Sequence, residues 1–466
     1  MKKLIVIMLT LLAGFRGYSQ DITGQWNGLL KISGIELTLV FHITKTDTGY
    51  SATMDSPDQN AYDIPVSSVS FDNGIFRIEA SALGMEYEGT FKNDSIEGRF
   101  MQRGMTLPLT LTRTPVEKAI VNHPQEPKPP YPYIAEEVHF LNTKDKITLA
   151  GTLTLPDTTG TYPAVVLISG SGAQDRNEEI VGQKPFLVLS DYLTRHGIAV
   201  LRYDDRGFGE SEGDFNTATS ADLANDVRAA VDYLKTRKEI DAGKIGLIGH
   251  SEGGLIAPMV ASTSDDIDFI VLLAGPGVSG KQILLLQEEL IGRASGKSEG
   301  DIETTKKING DIFDIILKYN DVDQIKTEIT NYIRQYIRDN PGKIPIPEGM
   351  SEDDVIKQLI SQVTSPWMLY FIRYDPAPAL EKVKCPVLAL NGEKDLQVPA
   401  DVNLRAIQQA LEKGGNKNVT VMKLPGLNHL FQECKTGLPD EYATIEQTMS
   451  PVVLETVSSW ITKQTK

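Results

Sequence analysis

Three serines lie in a Gly-x-Ser-x-Gly pattern, which is typical of a serine that acts as a nucleophile. They are Ser211, Ser251 and Ser298. Such a serine needs a strand that leads into it and a helix that leaves it, because the sharp turn between them lifts the hydroxyl above the sheet. Only Ser251 has both, since an apolar strand pattern precedes it over 245–248 and an apolar helix pattern follows over 255–260. The sequence therefore predicts Ser251 as the nucleophile.

The other two serines lack this setting. Ser298 lies in the polar stretch 295–300, with no strand pattern before it. Ser211 follows a loop pattern, and Asp214 rather than a helix comes after it. We expect neither serine to be a nucleophile.

A serine hydroxyl is a weak nucleophile and needs a histidine base that a carboxylate orients. Among the six histidines, His429 lies in the loop after the last predicted strand, where such a base is expected. His250 adjoins Ser251, but successive side chains on a tight turn diverge. The other four lie in a β-rich segment, a proline-rich segment, a predicted hairpin and a helix end; they are His42, His123, His139 and His196. We predict His429 as the base.

The carboxylate is expected after the strand that precedes the histidine loop. Two acidic residues stand there, Glu393 and Asp395. Because Gly392 ends the strand and ordered structure resumes at Val398, we predict Asp395 as the orienting carboxylate. Glu393 stays the alternative.

The chain order Ser251, Asp395, His429 is the order of the α/β-hydrolase superfamily. The sequence resembles that superfamily over residues 135–466, and most closely the bacterial esterases near its dienelactone-hydrolase and prolyl-oligopeptidase branches. The segments that carry the resemblance are 167–176, 202–211, 249–254 and 374–376. The resemblance implies a serine hydrolase that works through an acyl-enzyme. Nothing in the sequence offers a phosphate cradle or a cluster of metal ligands, so no cofactor is expected.

An acyl-transfer site also needs N–H donors for the oxyanion of its tetrahedral intermediate. One is expected from the backbone N–H of Glu252, directly after the nucleophile. The other is expected from the loop 170–172, and alignment by resemblance assigns it to Ser171, with Gly172 one step away.

The elements that must position these residues follow from residue 135 onward. Short apolar strand patterns alternate there with amphipathic helix patterns, which predicts a mostly parallel sheet with helices on both faces, the α/β-hydrolase fold, over 135–466. A helical insertion is expected at about 279–378, where apolar residues recur at helical spacing. It would cover the sheet face that binds ligands. Its candidates to line an acyl pocket are Trp367, Met368, Tyr370 and Phe371.

The N-terminal third predicts three further parts. Residues 1–19 resemble a secretory signal peptide, because two lysines precede a short apolar run that ends in small residues. Residues 20–115 predict an all-β accessory domain, a small barrel or sandwich, whose segment 24–26 resembles the opening of lipocalin-like barrels. Five prolines lie within 116–134, which predicts an extended linker.

Composition limits the remaining function classes. Hydrophobic residues make up 41% of the 466, which is typical of a globular protein and excludes a multi-span membrane protein. A net charge of −16 disfavours nucleic acid as a partner. The two cysteines, Cys385 and Cys434, are too few for a disulfide scaffold. Cys385 is expected at the amino edge of the sheet and Cys434 near the opposite, catalytic edge, which predicts two free thiols, with Cys385 buried.

The sequence therefore predicts an exported, periplasmic or secreted, serine hydrolase with no stable membrane anchor. We expect a carboxylesterase that cleaves small or medium acyl esters, so that its partner is a small-molecule ester. A serine peptidase of the prolyl-oligopeptidase type is the first alternative. A non-enzymatic ligand-binding protein is the second. Oligomeric state is left open.

Overall fold

The computed structural model describes residues 21–466, apart from 33–34, 60, 103–104, 117–120, 345 and 347–349. The predicted signal peptide, residues 1–19, lies outside the described residues. The described residues form two compact units, of which the first ends at residue 116 and the second runs from residue 121 to the C-terminus. In the part of the chain that the structure describes, no helix is long and apolar enough to cross a membrane.

The first unit is an all-β domain, which confirms that part of the predicted fold. Its strands form one nine-stranded sheet in the order β4-β3-β2-β1-β9-β8-β7-β6-β5. The strands in the described residues are Gly24–Ile32 (β1), Ile35–Thr46 (β2), Gly49–Ser56 (β3), Ala61–Pro65 (β4), Ser68–Asp72 (β5), Ile75–Ala80 (β6), Met85–Lys92 (β7), Ser95–Gln102 (β8) and Met105–Thr112 (β9).

This sheet curls around a core of side chains. The rings of Phe41 on β2 and Tyr87 on β7 lie 6.3 Å apart, although three strands separate β2 from β7 in the sheet. Trp26 is fully buried, and the guanidinium of Arg113 lies 3.9 Å from the centre of its ring. A cation over an aromatic face is stabilising, so this pair ties the start of the domain to its end.

The second unit is built on an eight-stranded sheet in the order β10-β11-β13-β12-β14-β15-β16-β17. Its strands are Ile134–Asn142 (β10), Ile147–Leu155 (β11), Tyr162–Ile168 (β12), Ala199–Tyr203 (β13), Ile240–His250 (β14), Phe269–Leu273 (β15), Val387–Gly392 (β16) and Val419–Leu424 (β17). The sheet is mixed rather than purely parallel, because β11 pairs antiparallel with both β10 and β13. The pairs from β13 through β12 to β17 are parallel.

Helices cover both faces of this sheet. Because successive side chains on a strand point to opposite faces, Val166 of β12 packs in one apolar core and Val165 in the other. The helices in the described residues are Pro185–Arg195 (α1), Ser220–Lys235 (α2), Glu252–Ala261 (α3), Gly280–Ala294 (α4), Glu299–Lys318 (α5), Val322–Asp339 (α6), Glu352–Val363 (α7), Pro366–Arg373 (α8), Ala377–Leu380 (α9), Ala400–Lys413 (α10) and Pro451–Gln464 (α11). The core with Val166 includes α2, α3 and α10, and the core with Val165 includes α1 and α11.

Helices α4 to α9 come between β15 and β16. Helices α5 to α8 share a core of their own, built from isoleucines at helical spacing such as Ile325, Ile329 and Ile333. The insertion thus follows the carboxyl end of β15, the edge of a parallel sheet at which ligands bind in folds of this kind.

Two smaller features complete the second unit. In the proline-rich segment, Gln125 donates to the carbonyl of Met449 (2.7 Å) and accepts from the backbone N–H of Thr448 (2.7 Å), so the segment packs on this unit. Cys385 and Cys434 are both free thiols, as predicted. Cys385 is half-buried rather than fully buried, and this burial raises the pKa of its thiol to about 12.

Candidate active site

Ser251 lies on a sharp turn between strand β14 and helix α3. Its backbone has φ +52° and ψ −117°, a conformation that a residue with a side chain rarely adopts. The turn is held by the Ser251 N–H, which donates to the carbonyl of Leu273 on the neighbouring strand (2.8 Å). A Cβ atom at Gly249 would overlap the backbone of Gly253, so the close approach of strand and helix requires glycine there. This geometry lifts the Ser251 hydroxyl away from the sheet.

His429 and Asp395 form a buried hydrogen-bonded pair. The imidazole Nδ1 of His429 donates to Oδ2 of Asp395 (2.8 Å), and the side chains are 5% and 0% exposed. The other oxygen of Asp395 accepts from the backbone N–H groups of Gln397 and Val398, each at 2.8 Å. The carboxylate is therefore fixed in position and fixes the ring, which leaves Nε2 as the nitrogen of His429 that is free to take a proton.

Glu393, the alternative carboxylate, has a different partner. Its Oε2 accepts from the backbone N–H of Gly426 at 3.0 Å, at the start of the loop that carries His429. The structure thus brings Asp395, and not Glu393, to the imidazole of His429.

Ser251 and His429 line one cavity of about 410 Å³. Asp395 lies behind His429 and does not line this cavity. Its wall also includes Ser171 and Glu252, the two residues predicted to supply oxyanion donors. Apolar side chains form much of the rest, and they include Ile180, Ile283, Leu284, Trp367, Phe371 and Leu430.

The loop that carries Ser171 is held from both sides. The N–H of Gly170 donates to Oε1 of Glu178 (2.7 Å), so Gly170 has no free donor for a substrate. The hydroxyl of Ser169 donates to Asp205 (2.9 Å), which also accepts from the N–H of Gln174 (2.9 Å).

Of the two open alternatives for the second oxyanion donor, Ser171 lines the cavity, whereas Gly172 is not among the described residues that line it.

The side chain of Glu252 joins the nucleophile turn to the helical insertion. Its carboxylate accepts from the hydroxyl of Ser220 (2.6 Å) and from the indole N–H of Trp367 on α8 (2.9 Å). Burial raises the pKa of this carboxyl, and the hydrogen bonds from these donors oppose that shift. The Glu252 backbone N–H, at the first residue of α3, has no partner within its own helix and is thereby available to a ligand in the cavity.

Comparisons with known proteins find three similarities to the second unit. The model of the serine aminopeptidase S33 family matches residues 185–321. Esterase EstD of Thermotoga maritima is 25% identical over 316 residues, which span 68% of this chain and 66%, less than two thirds, of EstD. A solved esterase of Pyrococcus furiosus, Pf2001, is 17% identical, with a TM-score of 0.43, over 75% of this chain and all of its own. The second unit has the α/β-hydrolase fold, and we refer to it as the hydrolase domain.

In this hydrolase domain the two other Gly-x-Ser-x-Gly serines have structural roles. The hydroxyl of Ser211 is buried, donates to the carbonyl of Asp204 (2.7 Å) and accepts from the N–H of Ala150 (2.9 Å). Ser298 is exposed and begins helix α5, where its hydroxyl accepts from the N–H of Asp301 (3.1 Å). Neither serine lines the cavity that holds Ser251.

Two charged residues after β13 have separate partners. Arg206 pairs with Asp226 (2.7 Å), and Asp205 holds the loop of Ser169.

The expectation that four residues of α8 line an acyl pocket is met by two of them. Of the four aromatic and methionine candidates on α8, Trp367 and Phe371 line the cavity of the hydrolase domain. The other two do not, because Met368 packs in the core of the insertion and Tyr370 lines a separate groove.

Sequence reasoning missed the partners of His250. Its Nδ1 lies 2.8 Å from Oε1 of Glu178, and its Nε2 lies 3.0 Å from the backbone oxygen of His429. Both ring nitrogens are therefore engaged, so His250 is unavailable as the base. Glu178 lies 72 residues from His250 along the chain, and no local pattern signals such a contact.

Proposed function

We propose that this protein is an exported serine hydrolase that cleaves carboxylic esters through an acyl-enzyme. The observation that carries the proposal is the shared cavity of Ser251 and His429, with Asp395 hydrogen-bonded to the far side of the imidazole. The proposal of export rests on the resemblance of residues 1–19 to a secretory signal peptide.

The proposed reaction begins when the Ser251 hydroxyl attacks the ester carbonyl. Nε2 of His429 takes the serine proton, and Asp395 stabilises the imidazolium that forms. The backbone N–H groups of Glu252 and Ser171 donate to the oxyanion, and each such donor is worth about 2.7–4 kcal/mol in comparable sites. His429 then returns the proton to the departing alcohol. A water molecule, activated by the same histidine, finally releases the acid from Ser251.

An aminopeptidase is the alternative suggested by the family whose model matches. Such an enzyme needs an accessible anion for the α-ammonium group of a peptide. The carboxylates among the described lining residues are Glu178 and Glu252, which are 0% and 1% exposed. Both already accept hydrogen bonds from the protein. Because a shielded, occupied carboxylate is poorly placed to pair with a ligand cation, the cavity favours a neutral ester.

A panel of p-nitrophenyl esters of rising acyl length, beside aminoacyl and peptidyl p-nitroanilides, tests this proposal. We expect kcat/KM for the best ester to exceed that for the best amide by at least about 100-fold, a difference of roughly 2.7 kcal/mol in activation free energy. A preference for amides would contradict the proposal and favour the peptidase.

Export is tested by the intact mass of the purified protein. The mass should show that residues 1–19 have been removed, and a mass that still includes them would contradict export.

Phe371 is expected to limit the length of the acyl chain. Its ring lines the cavity and stacks on Trp367 with the centroids 5.0 Å apart. Phe371→Leu makes room in this wall, and each additional methylene that becomes buried contributes about 0.8 kcal/mol, or roughly fourfold. We expect kcat/KM for longer esters to rise relative to acetate by about that factor per methylene.

The matched control for this substitution is Met368→Leu, since Met368 lies on the same helix but packs in the core of the insertion. We expect its chain-length profile to follow the wild type. An equal shift in both variants would show that the insertion acts through its packing and that Phe371 does not set acyl length.

A further inference from the structure

A second histidine–carboxylate pair, Glu178 with His250, is buried beside Ser251 and takes no part in the reaction described above. We propose that this pair positions both the catalytic base and the oxyanion donor. One ring nitrogen of His250 holds the backbone of His429, and Glu178 holds the loop 170–172, called here the oxyanion loop. The inference rests on the proposed function of Ser251 and His429. Both residues of the pair are positioning residues.

The protons of the pair follow from its partners. The backbone oxygen of His429 can only accept a hydrogen bond, so Nε2 of His250, 3.0 Å away, must carry a proton. Nδ1 and Oε1 of Glu178, 2.8 Å apart, share a second proton. Burial by itself lowers the pKa of His250, but the charge of Glu178 and the bond to His429 raise that pKa above its usual value. The pair therefore holds one proton between Nδ1 and Oε1 and donates the other, from Nε2, towards the backbone of His429.

The same carboxylate reaches the oxyanion loop. Oε1 of Glu178 accepts from the N–H of Gly170 at 2.7 Å, one residue before Ser171. A Cβ atom on Gly170 would lie 3.2 Å from Cβ of Ser251 and 3.3 Å from Oε1 of Glu178, so the loop, the nucleophile and the pair are in close contact. Glu178 itself has φ +53°, a conformation that persists only where its surroundings enforce it.

One carboxylate and one ring thus connect three distant parts of the chain. These parts are the loop at Gly170, the end of β14 at His250 and the loop that carries His429. The rings of His250 and His429 lie only 4.9 Å apart, so a shift of one displaces the other. A misplacement of about 1 Å in a catalytic group can lower the rate by about 100-fold. The hydrogen bonds of the pair restrain His429 and the loop of Ser171 against a shift of that size.

Two substitutions at His250 separate positioning from packing. His250→Gln puts an amide nitrogen near the place of Nε2 and can keep the bond to the backbone oxygen of His429. His250→Asn puts one near the place of Nδ1 and can keep only the bond to Glu178. We expect the rate constant for fluorophosphonate labelling of Ser251, and kcat for an ester, to fall by roughly 10–100-fold in the Asn variant. The Gln variant should recover about tenfold of that loss, and KM should stay within about threefold in both.

Equal rates in the Gln and Asn variants, or wild-type rates in the Asn variant, would overturn the inference, because packing alone would then explain the pair. Glu178→Gln gives an independent reading if a His250 variant does not fold. It keeps an acceptor for the N–H of Gly170 but removes the negative charge, and we expect labelling to slow by roughly tenfold at an unchanged circular dichroism spectrum. Labelling at the wild-type rate in that variant would also overturn the inference.

The control is His42→Gln in the N-terminal domain, where His42 forms another histidine–carboxylate pair with Asp55 (2.8 Å). We expect its labelling rate to stay within about twofold of the wild type. The labelling readout also separates the two proposals. A wild-type protein that labels at Ser251 but cleaves no ester would contradict the proposed substrate class, while the ratio of labelling rates would still decide the role of His250.

Discussion

Ser251→Ala is expected to abolish labelling by a fluorophosphonate probe and to lower kcat for an ester by roughly 10⁴–10⁶-fold. The physical reason is that no covalent acyl intermediate can form without the hydroxyl that the turn between β14 and α3 presents to the cavity. The residual rate would come from the oxyanion donors and from substrate binding alone. Gel fluorescence of the labelled protein and steady-state turnover of p-nitrophenyl acetate measure the two effects.

The other two serines in the same motif provide matched controls. Ser298→Ala removes an exposed helix cap, and Ser211→Ala removes a buried hydroxyl that holds a loop, so we expect each to cost about 1 kcal/mol of stability. Both proteins should label like the wild type, because neither serine lines the cavity. If one of these two variants loses labelling while Ser251→Ala is still labelled, the serine replaced in that variant is the nucleophile.

Local patterns predicted the scaffold of the hydrolase domain well, and the reason is physical. A buried parallel strand needs a short apolar run and its covering helix needs an apolar stripe, and both are visible within ten residues of sequence. The strand before Ser251 and the helix after it were predicted on this basis, and β14 and α3 are found there. Two antiparallel pairings at the β10–β11 edge make the sheet mixed.

Contacts between distant segments could not be predicted in this way. Glu252 and Trp367 are hydrogen-bonded but lie 115 residues apart in the sequence, and His250 and Glu178 lie 72 residues apart. No local spacing predicts either contact. Helix α8 is an intermediate case. Its spacing pairs Trp367 with Phe371, which both line the cavity, but it equally pairs Trp367 with Tyr370 and Met368 with Phe371. Only the packing of α8 against its neighbours decides which face meets the cavity.

Asp395→Asn is expected to lower kcat by about 10⁴-fold while the fold is retained. The amide oxygen can still accept from the backbone N–H groups of Gln397 and Val398, as Oδ1 of Asp395 does. The amide nitrogen then faces Nδ1 of His429, in the place of the oxygen that now lies 2.8 Å from it. A donor in that place favours the tautomer with its proton on Nε2, and this nitrogen can no longer take the proton of Ser251.

Glu393→Gln is the matched control, because Glu393 is the other carboxylate on the same loop and contacts the backbone N–H of Gly426 rather than His429. Glutamine keeps an oxygen for that contact, so we expect kcat within about threefold of the wild type. Steady-state kinetics on one ester, with thermal unfolding measured for both variants, compares them. If Glu393→Gln loses more activity than Asp395→Asn at equal stability, the carboxylate that orients the imidazole is Glu393, and the buried pair of Asp395 and His429 serves only the stability of the loop.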